Sequence, residues 1–190
     1  MKKWFQLLFI LALSAITLVG CSIEGFLNLD EDKVIETEEI ETETNKDEST
    51  ISEITSIDNL VNTDIYKHHA LTHILEGEIN RKGQAVGFHY NNLPTKQGEI
   101  IDGTKTSPNR HGVYEAKVKV SNVNKTSNSG KSTFFPDDFD TQDVVDAINE
   151  AHGSKTHING NTYEGLSNEG MVIRMYLDDH ENIISAFPVY

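Results

Sequence analysis

The chain has 190 residues, a single cysteine and a formal charge of −14, from 30 acidic and 16 basic residues. One cysteine excludes an internal disulfide, and the length suits a single domain with room for accessory segments. The acidity would exclude a polyanion-handling domain only if it were evenly spread; instead residues 22–66 carry fourteen Asp and Glu against Lys33 and Lys46, which leaves residues 67–190 at −4.

In chain order, the first segment is a targeting signal rather than part of a fold. Lys2 and Lys3 precede an apolar run from Trp4 to Val19, followed by Gly20 and Cys21. Charge, apolar stretch and small-residue site in that order form a secretory signal over residues 1–20. The ending "LVGC" resembles a bacterial lipobox, so Cys21 is expected to be lipidated and the chain exported and held at the bacterial membrane, where two or more acyl chains give lasting anchorage. The alternative, an uncleaved spanning helix, has an apolar stretch barely long enough. Residues 21–66 then read as an extended tether, because like charges repel along it and too little apolar surface is available to offset ordering.

Residues 67–190 carry the domain. "YKHHALTHILEGE" predicts a short helix through Leu71, Ile74 and Leu75 that stops at Gly77. The next stretch, "HILEGEINRKGQAVGFHY", sets His73 and His89 at the two ends of a glycine-rich turn; Glu76 and Glu78 within it are expected to pair with Arg81 or Lys82. "VYEAKVKVSNV" alternates as a strand, with Tyr114, Ala116, Val118 and Val120 on one face. "FDTQDVVDAINEAHG" predicts a helix capped by Asp140 or Thr141, with Val144, Val145, Ile148 and Ala151 as its apolar stripe and Gly153 as its stop. "MVIRMYL" and "NIISAF" flank the polar turn "DDHE" and read as a C-terminal hairpin. An α+β domain follows, with N-terminal helix packed on antiparallel sheet. The connections 91–112 and 152–170 are long for its size and read as functional loops.

Two chemistries could use the histidines. His69 and His73 are spaced for one face of a helix and could hold a metal, but the Glu of an HExxH motif and a third ligand are missing. Metal-free acid/base catalysis needs one group to take a proton and another to give one, which His73 and His89 can do near neutral pH. Lys131, in "NSGKSTFFP", would supply a cation for a phosphoryl oxygen, and RNA then becomes the natural substrate because its 2′-OH is an internal nucleophile. No Walker loop, GxGxxG fingerprint or GxSxG elbow occurs.

Four ordered blocks, "HILEGEI", "GFHY", "GKSTFFP" leading into an acidic helix, and the closing "IISAFP", resemble the EndoU-type endoribonuclease domain in its bacterial toxin branch, over residues 67–190. The resemblance implies a ribonuclease A-like fold and route: two histidines and a lysine cut RNA, with a preference for uridine, and leave a 2′,3′-cyclic phosphate without metal or cofactor. It assigns catalysis to His73, His89 and Lys131, and substrate binding to Thr133, Ser185 and Phe187. It implies RNA and not DNA as substrate, and leaves room for an immunity protein as partner. The family usually ends in Ser or Thr, one residue, Tyr and Pro, whereas this chain has Ser185, Ala186, Phe187 and Pro188. Phe187 keeps the stacking surface and loses the hydroxyl. Against this stands a different class of reading, a lipid-anchored RNA- or protein-binding module that keeps the fold without turnover.

Overall fold

Residues 54–190 are described by the computed structural model; the expected signal 1–20, the expected lipidation site Cys21 and the expected tether as far as residue 53 lie outside the described residues. Residues before 67 already pack against the domain, which the charge pattern does not predict. Ile54, Ile57, Leu60, Ile65 and Tyr66 pack against the main core. The side-chain amide of Gln142 exchanges hydrogen bonds with the Val61 backbone, and the Tyr66 hydroxyl donates to the Val145 carbonyl. Net charge describes this end of the acidic stretch poorly, because its apolar residues find a surface to cover.

The first helix, α1 (Ala70–Leu75), buries Ala70, Ile74 and Leu75 and stops where predicted, at Gly77. Gly77 is required there: its φ is +78°, and a Cβ would stand 2.9 Å from that of Phe88. The glycine-rich stretch between the two histidines is a small antiparallel hairpin, β1 (Glu78–Ile79) and β2 (Ala85–Val86). Its turn is closed by the Asn80 side chain, which accepts from the backbone of Lys82 and Gln84.

Strand alternation gives β4 (Tyr114–Val120), whose even-numbered residues are all buried as the sequence pattern requires. It is the spine of a second sheet. β3 (Gly98–Ile100), from the connection expected to be a loop, pairs with the end of β4; so does β5 (Val123–Asn124), while β6 (Lys131–Phe134) pairs with its first half. Helix α2 (Thr141–Gly153) starts in a full capping box, Asp140 and Asp143 each accepting from the other's backbone N–H. It buries its predicted stripe, and Ser154 rather than Gly153 caps its end.

Residues 152–170 depart furthest from the sequence reading. They are not one long loop: β7 (Thr156–Asn159) and β8 (Thr162–Leu166) make a hairpin that continues into β9 (Val172–Leu177) and β10 (Ile183–Pro188) as a four-stranded antiparallel meander. The stretch lacks the apolar alternation of a buried strand because β7 is exposed along its whole length. Helix α2 covers β8 and β9, and β10 lies against α1 and touches β6. The fold is therefore α+β, with two cores. One is built from α1, α2 and the meander, the other from Phe88, Tyr114, Phe134 and the buried face of β4.

Candidate active site

A six-residue helix leaves most of its terminal carbonyls without partners, and here the chain returns to satisfy them. The His73 carbonyl accepts from the Phe88 N–H at 3.0 Å, and the Ile74 carbonyl from the His89 N–H at 2.7 Å. Residues 87–90 are thus bonded to the end of α1, which brings the two histidines together. The approach needs glycine: Gly87 has φ +70°, and a Cβ would lie 1.9 Å from the His73 carbonyl oxygen. The following residues diverge, Phe88 into the second core and Tyr90 into the first, and His89 lies between them.

The histidine environments differ. Nδ1 of His73 lies 3.0 Å from Glu78 Oε1, so the carboxylate accepts from Nδ1–H. The expected pairing of Glu78 with Arg81 or Lys82 is not what forms: a strand turns alternate residues to opposite sides, Glu78 meets His73, and Arg81 and Lys82 stand exposed at the hairpin tip. His89 is buried, 6 % exposed, with Nδ1 2.7 Å from the Thr133 carbonyl. A carbonyl can only accept, so Nδ1 carries the proton and Nε2 the lone pair. Burial pushes the His89 pKa well below 6.5; the charge of Lys125 adds to this, and so, less strongly, does His73, while the Thr133 carbonyl opposes it.

Phe187 stacks on His89, with ring centres 5.1 Å apart and 19° between planes. Cross-strand pairing with Arg174 fixes Phe187 on β10, and Ser185 pairs with Tyr176 two residues earlier. Lys131 opens β6, but it is not a free cation: its Nζ lies 2.8 Å from Glu115 Oε2. That partner comes from β4 and was invisible as long as β4 was read only for its buried face. Thr133 contributes its backbone carbonyl to His89, a role no side-chain motif announces.

One residue was missed altogether. Lys125, just beyond β5, sends Nζ to Ser132 Oγ at 2.8 Å and to the Gly87 carbonyl at 3.2 Å, and burial pushes its pKa down to about 8. The only signal in the sequence is a second lysine six residues before Lys131; that it folds back beside His89 depends on the pairing of β5 and β6 with β4.

These groups share one cleft of about 1050 Å³. His73, His89, Lys131, Thr133, Ser185 and Phe187 all line it, and so does Lys125. His68 and His69 also border it, their rings 3.8 Å apart. Among the described residues no three His, Cys, Asp or Glu side chains gather as a metal-ligand set, so the pair His69 and His73 finds no third donor there. The arrangement can hold a polyanion and move two protons, one to a neutral imidazole and one from an imidazole backed by a carboxylate.

Comparison with known proteins bears on the same residues. Residues 67–190 match the family model described as bacterial EndoU nuclease. A curated relative from Bacillus cereus, named as a toxin, is 47% identical over 140 residues, which is 74% of this chain. The match covers 26% of that relative, so the chain spans about a quarter of its length. No solved structure matches the chain.

Proposed function

Because the chain belongs to the bacterial EndoU nuclease family, we propose that its domain is a metal-independent endoribonuclease that cuts RNA by attack of the 2′-OH on the adjacent phosphate. The observation that carries this reading is the unlike environment of two imidazoles in one cleft: His89 is kept neutral, with Nδ1–H spent on Thr133, and His73 is backed by Glu78. Nε2 of His89 takes the 2′-OH proton, and the 2′-oxygen forms its bond to phosphorus. As the bond from phosphorus to the 5′-oxygen breaks, Nε2–H of His73 gives that oxygen a proton. The products are a 2′,3′-cyclic phosphate and a 5′-hydroxyl. Lys131, released from Glu115, faces the non-bridging oxygens, where charge builds up.

Phe187 supplies the plate on which the base or ribose stacks, beside its contact with His89. Ser185 and Thr133 line the same cleft; the Ser185 hydroxyl, without a hydrogen-bond partner among the described residues, reads the base edge and gives the preference for uridine. DNA lacks the nucleophile and is not cut. Lipidation of Cys21 holds the exported domain at the bacterial membrane. The Bacillus cereus relative named as a toxin supports a toxin role, with an immunity protein as the further partner.

The test is incubation of the purified full chain with a uridine-containing oligoribonucleotide in excess chelator, with product ends analysed by mass. Cyclic phosphate ends in chelator are the expected outcome. Binding without cleavage would replace this reading with that of a non-catalytic binding module, and cleavage abolished by chelator would replace it with metal-dependent chemistry.

A further inference from the structure

Among the described residues, three lysines line the cleft, and two of them, Lys67 and Lys131, have their charge matched by a carboxylate, Lys67 by Asp178 at 2.7 Å and Lys131 by Glu115 at 2.8 Å. Lys125 is partly buried, and among the described residues it forms no ion pair; both of its hydrogen bonds go to neutral oxygens, Ser132 Oγ and the Gly87 carbonyl.

Bracing alone does not account for that charge. The Ser132 hydroxyl already donates to the Gly87 carbonyl at 3.1 Å, so the junction between the His89 segment and β6 is hydrogen-bonded without a lysine. Withdrawing an ammonium from water without a counter-anion is costly. An ammonium has three N–H donors, and two are used. The third belongs to a group that lines the cleft and whose charge is felt by His89. A partner for it must carry negative charge, fit beside the two imidazoles and come from outside the protein. In a cleft that takes RNA, that partner is a phosphate oxygen.

We infer that Lys125 is a second phosphate-binding residue of this cleft, holding a phosphate oxygen of the bound strand on its third N–H while its other two donors fix it to Gly87 and Ser132. The inference rests on the ribonuclease reading and deepens it.

The experiment measures affinity of the full chain for an oligoribonucleotide made uncleavable by a 2′-deoxy group at the cleavage site, across a salt series. Each phosphate neutralised on a single strand contributes about 0.7 to the slope of log affinity against log salt. Lys125→Met is expected to weaken binding about ten- to a hundredfold and to reduce that slope by about 0.7. Lys125→Arg should restore the slope, and Ser132→Ala, which removes a bracing contact and no charge, should leave it unchanged. Wild-type slope in a folded Lys125→Met variant overturns the inference. Should Lys125→Met fail to fold, Lys125→Gln replaces it, keeping a donor and dropping the charge; failure of both to fold assigns Lys125 to structure and also overturns it. Absence of any salt-dependent binding by the wild-type chain would instead count against the ribonuclease reading as a whole.

Discussion

At the residue scale, burial of His89 bears on both stability and the proposed chemistry. Its folded pKa lies below 6.5, chiefly through burial, so the unfolded chain takes up a proton that the folded chain resists. The stability from neutral His89 is therefore fully present above about pH 6.5 and lost as pH falls below it. Wild-type melting temperature should drop from pH 7 to pH 5 more steeply than that of His89→Gln. If His89 is the base, the acid limb of kcat/KM should also lie below pH 6.5; a limb at or above that value would remove His89 from this role. Glu115 gives a second prediction. A half-exposed pair such as Lys131 with Glu115 is worth about 0.2–1 kcal/mol, so Glu115→Gln should raise kcat/KM up to about fivefold by freeing the cation. A fall in rate would mean that Glu115 holds Lys131 in position. That His73, His89 and Lys131 line one cleft was legible because their residue types and block order are specific; the contacts of Glu78, Glu115 and Lys125 were not, since each meets its partner only through strand register.

Among the elements, residues 87–90 bear the greatest demands. Phe88 sits at φ +65°, a left-handed conformation that disfavours a bulky residue and costs on the order of 1–3 kcal/mol. What holds it is burial: its ring meets Phe134 edge-on, centres 5.1 Å apart, and it has no exposed surface. Phe88→Ala should cost about 3–5 kcal/mol, and thermal melts should fall by on the order of ten degrees. Cleavage should be lost in the same variant even where it remains folded, since the His89 N–H bond to Ile74 depends on the same segment; an unchanged melt would show that burial of the Phe88 ring does not hold the segment in place. Elements with strong periodicity were read correctly, namely α2 with its cap, β4, and the hairpin of β9 and β10. The weak ones were not. β7 buries nothing, and β1, β2 and β5 are two residues each, too short for alternation to register.

For the whole molecule, composition and structure divide the chain differently. Charge draws the line at residue 67, because residues 22–66 carry nearly all of the net charge and leave the domain able to accept a polyanion. Packing draws it earlier. Ile65 and Lys67 bond through their backbones to Ile183 on β10, the strand that also carries Ser185 and Phe187. The Asn62 carbonyl accepts from the Asn149 side chain on α2. Residues 54–66 therefore tie the start of β10 to α2, and a protein begun at residue 67 keeps every proposed catalytic side chain but loses this strap. Removing it exposes the apolar surface beneath Ile57, Leu60 and Tyr66, and should cost on the order of 2 kcal/mol or more. Comparison of chains beginning at residues 54 and 67 in chemical denaturation should give a lower midpoint for the shorter one, and its cleavage should fall more steeply with temperature as β10 loosens. Equal midpoints would return residues 54–66 to the tether, as the charge pattern alone had it.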